Sequence, residues 1–442
     1  MLEFDPKVAH LLRRATLGPT IDEIQSASDA GLDTTLEKML AQLGEPLSKQ
    51  QIAAQAIGGV FLKDGKSLRA GWMLRLLNSP NLFREKLTLF WHNHFATAIS
   101  KVENPPMMAL QIDTLRELAL GNFRQILLAV ARDPAMLVWL DNGLNVKGHA
   151  NENFGRELME LFTLGIGNYT EKDVQEVARA FTGWNLQAGR YQFIADKHDE
   201  GEKTILGKTG KLNGDDVIEI LASSDHTAAF LSRKLWRFFV SQDPTDKDLA
   251  PMIKAYKESN CEIAPVMKAM FTSPRFFDAD VIGAQIKNPV EFVVGTVRAL
   301  KASSEPQPYA DAAAAMGMDL YNPPDVSGWA GGENWISTFT LLERIRLVRQ
   351  LVGQGGAGHI AGLDVNKIIT DNFLSTNEEI ADHFLTQFLQ RQAPAKLRAT
   401  MLTFLTAGTR GGAVIKLPSE QREEKIRGLV RLILCSPEYQ LC

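Results

Sequence analysis

Cysteine is scarce in this chain, with Cys261, Cys435 and Cys442 the only three among 442 residues. Their number is odd, and no Cys-x-x-Cys pair occurs. A disulfide framework uses an even set of cysteines, and structural zinc sites commonly use such pairs. The sequence therefore argues against both as the basis of the fold.

Long apolar runs are absent as well, so no segment is predicted to span a membrane. The first residues, MLEFDPKVAHLLRRATLGPT, lack the basic stretch and following apolar stretch of a signal peptide. We expect a cytoplasmic protein, or an exported one if a leader has been removed. The formal net charge is −4 without a basic tail or stripe, which argues against nucleic acid and membrane as partners.

Strand signals are rare, whereas apolar residues at helical spacing dominate the chain. Clear helical patterns cover residues 67–77 and 82–90, and the Asn-Ser-Pro sequence at 78–80 separates them as a helix stop. Thr170 begins a capping box for another helix. We predict an all-α fold, with residues 1–442 forming one large multi-helix domain.

Two segments are predicted to depart from this helical pattern. Residues 191–194 and 203–206 have the composition of strands, so we predict one small β-hairpin insertion at about residues 190–207. Residues 301–335 combine an alanine run with prolines, glycines and tryptophans. For them we predict a loop-rich segment that packs on the helices.

Two glycine-containing patterns resemble nucleotide-binding motifs but have the wrong context. Residues 353–358 match Gly-x-Gly-x-x-Gly, but that motif must follow a strand and this segment follows a predicted helix. Gly207-Lys208-Thr209 resembles the end of a phosphate-binding loop. Such a loop needs its first glycine at position 202, where this chain has Glu202. Neither pattern predicts a nucleotide site.

A pair of histidines, His92 and His94, lies at the end of a predicted helix in the sequence Phe-Trp-His-Asn-His-Phe. Two imidazoles at this spacing can bind one metal ion from an irregular turn, whereas in a continuing helix they point about 200° apart. Both are candidate metal ligands, and Asn93 is a candidate cofactor-binding residue. The alternative is that the histidines are buried among aromatic side chains and hydrogen-bonded to main-chain groups.

Charged residues concentrate in the segment 151–160. Arg156 is four residues from Glu152 and from Glu160, which is the spacing of helix ion pairs. Glu157 and Glu160, beside an apolar stripe, are candidate acid and base residues, with Arg156 a third catalytic candidate. The alternative is a charged helix face with internal salt bridges.

Two further candidates lie in predicted loops. His198 and Asp199 are placed at the hairpin tip, where they can coordinate a metal ion, although aspartate and glycine are also ordinary turn residues. Trp329 lies in a glycine-rich loop at 324–335. Such loops often form the wall of a pocket, so Trp329 is a candidate cofactor-binding residue, or else part of a tightly packed structural loop.

Six segments occur in a specific order: HLLRRATLGPT, REKLTLFWHNHF, NENFGRELMELFTLGIGNYTEKDVQEVARAFTGW, HDEGEKTILGKTG, HTAAFLSRKLWRFFV and PPDVSGWAGGENWIS. Together they resemble the bacterial family called domain of unknown function 1800. The resemblance implies a single large helical unit and a sulfatase-like partner protein, but no particular activity. It marks as family hallmarks the segments around His92 and His94, Glu157, His198 and Asp199, and Trp329. The chain departs from the family pattern at Thr227 and Ala330, where that pattern has proline.

From these candidates we predict a metal-dependent enzyme, either a hydrolase or an oxidoreductase, with an unknown substrate. A divalent transition metal, zinc or iron, would activate water or oxygen. The predicted ligands are His92, His94, His198 and Asp199, with Glu157 or Glu160 nearby. The alternative is a non-catalytic helical scaffold that binds a partner protein and uses the polar clusters as buried hydrogen-bond networks.

Overall fold

Helices make up most of residues 3–41, 62–302, 305–353, 363–408 and 412–442, which the computed structural model describes. The helices before the strands are α1 (Pro6–Ala15), α2 (Ile21–Ala30), α3 (Leu32–Ala41), α4 (Gly65–Asn78), α5 (Leu82–His94), α6 (Ile99–Val102), α7 (Pro105–Glu117), α8 (Phe123–Ala131), α9 (Pro134–Trp139), α10 (Glu152–Glu160) and α11 (Glu171–Ala180). Those after the strands are α12 (Gly214–Ala222), α13 (Asp225–Phe239), α14 (Asp246–Glu258), α15 (Ile263–Phe271), α16 (Pro289–Ala299), α17 (Pro306–Ala315), α18 (Thr338–Leu351), α19 (Val365–Asp371), α20 (Asn377–Leu389), α21 (Ala395–Thr406) and α22 (Ser419–Cys435). The all-α prediction is confirmed.

Side-chain caps account for many of these helix boundaries. The Thr170 hydroxyl accepts a hydrogen bond from the Asp173 main-chain N–H at 3.2 Å, which confirms the predicted capping box at the start of α11. The stop predicted at 78–80 is also confirmed, because α4 ends at Asn78 and α5 begins at Leu82. The local sequence therefore determines where these helices begin and end.

Strands are confined, within the described residues, to two short antiparallel pairs. β1 (Trp184–Gln187) pairs with β2 (Arg190–Phe193), and β3 (Lys203–Ile205) pairs with β4 (Lys208–Gly210). A small β insertion is confirmed, but the predicted pairing of 191–194 with 203–206 is wrong. Each pair closes on its own two-residue turn, in which both residues have positive φ, as tight hairpins require.

The segment predicted to be loop-rich, 301–335, contains one helix that was not predicted. α17 occupies Pro306–Ala315, and Pro306 stands at its first position, which proline favours. The alanine run continues the helix, since alanine has the highest helix propensity. The other described residues of the segment are mostly irregular, and Trp329 and Trp335 among them are buried. The glycine-rich residues 354–358 lie outside the described residues.

One continuous cluster of buried apolar side chains extends from α1 to α22, and α5 lies within it. Every residue from Leu82 to His92 is buried, and so is His94. Because α5 has no solvent-facing side along this stretch, its charged side chains need partners inside the protein. The organisation of residues 1–442 as one domain stays a prediction.

Two buried ion pairs meet this need. Glu85 accepts a hydrogen bond from Arg116 Nε of α7 at 2.9 Å and another from Trp72 Nε1 of α4 at 3.3 Å. Lys86 forms an ion pair with Glu291 of α16. These contacts fix α5 against three other helices.

We expect Glu291→Gln to lower the free energy of unfolding by about 3–5 kcal/mol, because it leaves the buried Lys86 ammonium without a counter-charge. The double variant Lys86→Met/Glu291→Gln should recover most of this loss, since no uncompensated charge remains. Urea unfolding measures both effects. Asp280→Asn breaks an exposed ion pair with Arg275 and, as the control, should leave the midpoint unchanged. Equal destabilisation of the single and double variants would contradict this explanation.

Candidate functional site

The directions of His92 and His94 depend on where α5 ends. The helix continues through His94. Two residues along a regular helix, the side chains therefore leave it about 200° apart. The two rings enter different aromatic environments.

His92 is enclosed by Trp72, Tyr321 and Trp329, whose ring centroids lie 5.4, 6.0 and 5.4 Å from its own. Its Nε2 accepts a hydrogen bond from the Tyr321 main-chain N–H at 3.2 Å. The neutral ring must then carry its proton on Nδ1, which has no hydrogen-bond partner among the described residues. Burial lowers the pKa of His92 to about 3, so the ring is neutral near pH 7.

His94 lies among Phe90, Phe95 and Phe162. Its Nε2 donates to the Phe162 main-chain oxygen at 3.0 Å, so its proton is on the opposite nitrogen from that of His92. Its Nδ1 is buried and has no hydrogen-bond partner in the part of the chain described. Burial, followed by the positive charge of Lys234, holds the pKa of His94 well below its usual range.

Asn93 and Trp329, the two candidates for cofactor binding, are in direct contact. Asn93 Oδ1 accepts a hydrogen bond from the Trp329 main-chain N–H at 2.6 Å, and its Nδ2 donates to the Trp329 oxygen at 3.4 Å. Gly328 has a φ of 82°, and a Cβ at this position would lie 2.3 Å from Asn93 Oδ1. Glycine thus allows the loop to approach the end of α5, and the Trp329 ring reaches His92.

Arg156 and Glu160 of α10 both have partners within the chain. Arg156 NH2 lies 3.1 Å from a Glu152 carboxylate oxygen and 2.7 Å from one of Glu171. Glu160 accepts a hydrogen bond from the Tyr169 hydroxyl. The ion pair expected between Glu152 and Arg156 is present. The second carboxylate that pairs with Arg156 belongs to Glu171 of α11 and not to Glu160.

Glu157 differs from its neighbours, because its half-buried carboxylate has no hydrogen bond or ion pair within the described residues. Burial, and then the negative charge of Glu160, raise its pKa, while Arg156 lowers it. The Glu157 main-chain oxygen accepts a hydrogen bond from the Phe162 N–H at 3.2 Å. Phe162 also receives the hydrogen bond of His94, so the end of α10 is joined to α5 through this residue.

His198 and Asp199 lie between β2 and β3 and are held by residues at the end of α11. His198 Nδ1 donates to the Thr182 main-chain oxygen at 2.8 Å. Asp199 accepts hydrogen bonds from the Arg179 guanidinium at 2.9 and 3.2 Å. The Arg179 hydrogen bonds are the main reason why the pKa of Asp199 is lowered to about 2.

The structure therefore brings His92, Asn93 and Trp329 together, and it joins His94 to the end of α10. No described contact connects His198 or Asp199 to either place. Among the residues that the structure describes, no group of three or more histidine, cysteine, aspartate or glutamate side chains is arranged to hold a metal ion. A shared zinc or iron site stays a prediction.

Sequence reasoning missed two residues that complete the surroundings of His92. Tyr321, with a φ of 63°, supplies the N–H that His92 accepts, and Trp72 supplies a ring from α4. Nothing local marks either residue as a partner of His92. The sequence does contain one signal, the Arg-Glu-Lys run at 84–86. If the helix that carries these three charges is buried, they need partners from other segments, and Trp72 is such a partner of Glu85.

The buried neutral histidines should lower stability as the pH falls below 6.5. His92 has a pKa of about 3 when folded, against 6.5 for an ordinary histidine, so the unfolded chain binds more protons between these values. Each such histidine contributes up to about 1.4 kcal/mol per pH unit.

We expect His94→Gln, which keeps a donor for the Phe162 oxygen, to flatten the dependence of the urea midpoint on pH between about 6.5 and 4.5. Exposed His149→Gln is the matched control and should change nothing. If wild type and His94→Gln gave parallel curves, burial of a neutral His94 would not be the cause of the acid sensitivity.

Comparison with known proteins agrees with the resemblance of the six sequence segments. The family model described as protein of unknown function (DUF1800) matches residues 10–441. No curated protein and no solved structure matches the chain. None of the described helices combines the length and apolar character needed to cross a membrane. Because the family match covers nearly the whole chain, the protein belongs to the DUF1800 family.

Proposed function

We propose that this protein is a non-catalytic helical scaffold that binds a partner protein. The use of its polar clusters supports this proposal. His92, His94 and His198 each hydrogen-bond to a main-chain group of another segment. Asp199 and Arg156 form ion pairs within the chain. Side chains engaged in this way hold segments in place, whereas a catalytic acid or base must reach its substrate.

The observation that carries the proposal is an exposed stripe on α18. Phe339, Leu342, Arg346 and Arg349 are separated by three, four and three residues, so they share one face of the helix. Phe339 is 62% exposed and Leu342 59%, and both arginines are exposed as well. We call these four residues the α18 stripe.

The composition of the α18 stripe indicates what kind of partner would fit. Apolar anchors three to four residues apart are typical of a helix that docks into an apolar groove. The two arginines predict acidic side chains at one end of that groove, because complementary charges favour association. A sulfatase-like protein is the partner that the family resemblance suggests, and we propose it as the first candidate.

The metal-dependent hydrolase or oxidoreductase stays a prediction, as do the cytoplasmic location and its exported alternative. Elemental analysis of purified protein separates the enzyme from the scaffold. A stoichiometric amount of zinc or iron that is lost in His198→Gln would favour the enzyme. Protein that neither contains nor takes up these metals would favour the scaffold.

The double variant Phe339→Ser/Leu342→Ser should bind a purified sulfatase-like partner at least about tenfold more weakly, because both apolar anchors are removed. Biolayer interferometry with the partner immobilised measures this change. Phe373→Ser is the matched control, since Phe373 is 88% exposed but lies after α19. Equal weakening by the control, or unchanged binding of the double variant, would contradict the assignment of the α18 stripe.

A further inference from the structure

A cleft lies where four distant parts of the described chain meet. Its lining includes Arg13 and Thr16 from the region of α1, Lys287 before α16, Gln390 after α20, and Tyr439 after α22. Its cavity volume is about 30 Å³, and part of the cleft is open to solvent. We call it the Arg13–Lys287 cleft.

Arg13 lines this cleft with part of its hydrogen-bonding capacity unused. The residue is 7% exposed, and its NH1 donates to the Gln390 main-chain oxygen. Its Nε is buried and has no hydrogen-bond partner in the described part of the chain. The Nε edge of a guanidinium is suited to binding paired carboxylate, sulfate or phosphate oxygens.

Lys287 supplies a second positive group. Its Nζ lies 3.7 Å from the centroid of the Tyr439 ring, and no described carboxylate forms an ion pair with it. Burial lowers the pKa of Lys287 to about 7; the charges of Arg13 and Arg344 act in the same direction, and those of Cys442 and Glu291 oppose them. A nearby anion would favour the protonated form of this amine.

Positive groups also surround the cleft at a greater distance. Three further arginines bond to main-chain or amide oxygens and form no ion pair with a described carboxylate: Arg14, Arg344 and Arg391. The negative groups that act on them or on the lining cations are Glu291, Glu438 and Cys442. Glu291 is already paired with Lys86. The cations therefore outnumber the available anions, and buried positive charge without a counter-charge destabilises a fold.

We propose that the Arg13–Lys287 cleft binds a small oxyanion between the free edge of Arg13 and the Lys287 ammonium. Sulfate, phosphate and the carboxylate of a small organic acid share this chemistry. The anion would stabilise the contact between α1 and the residues that follow α22, because Arg13 and Tyr439 line the same cleft. This site is separate from the α18 stripe, and its test does not depend on a partner protein.

Isothermal titration with sodium sulfate, at an ionic strength kept constant with sodium chloride, tests the proposal. We expect one saturable site in the full chain and an unfolding temperature that rises with sulfate concentration. Lys287→Met should weaken sulfate binding at least about tenfold, while its unfolding temperature without sulfate should equal or exceed that of wild type, because an apolar group replaces a buried amine. Lys301→Met removes an exposed cation and is the matched control.

A second variant and two further titrations sharpen this test. Arg13→Lys keeps the charge but removes the planar edge, so it should also weaken sulfate binding. Acetate binding more tightly than sulfate would identify a carboxylate ligand, and the reverse a tetrahedral one. Affinity for sulfate should decrease between about pH 6 and 8.5 as Lys287 loses its proton. Sulfate acting no differently from chloride, or both variants binding it as wild type does, would overturn the proposal.

Discussion

Helix α5 is buried along almost its whole length, yet it carries charged side chains and two imidazoles. Water cannot satisfy these groups, and each one left without a partner would cost about 1–3 kcal/mol or more. Each of four side chains instead contacts a different segment: Glu85 contacts Arg116, Lys86 contacts Glu291, His92 contacts Tyr321 and His94 contacts Phe162. These polar contacts, together with apolar packing, determine which segments surround α5.

The same constraint limits what the two histidines of α5 can do in this arrangement. Each ring is neutral near pH 7, and each uses its Nε2 in a main-chain hydrogen bond. The two Nδ1 atoms are buried within aromatic surroundings. In this arrangement His92 holds the chain at Tyr321, and His94 holds the end of α10.

Local patterns predicted helices such as α4, α5 and α11, but they predicted neither α17 nor the segments that each helix contacts. Thr170 and the stop at 78–80 act through neighbouring residues, so the sequence contains the whole signal. The predicted strand pairing is wrong because Gly189 and Gly207 each close a tight turn, so each strand pairs with its immediate neighbour along the chain. The contact between His92 and Tyr321 spans 229 residues, and no local pattern encodes such a pair.

The requirements of α5 also explain the charge of the Arg13–Lys287 cleft. Glu291 is the only carboxylate side chain among the described residues that line this cleft. One of its oxygens pairs with Lys86 of α5, and the other accepts a hydrogen bond from the Asn288 main-chain N–H at 2.9 Å. Among the described residues, no ion pair joins Glu291 to Arg13 or to Lys287. Burial of a lysine on α5 thus leaves excess positive charge in the cleft, which a bound oxyanion would neutralise.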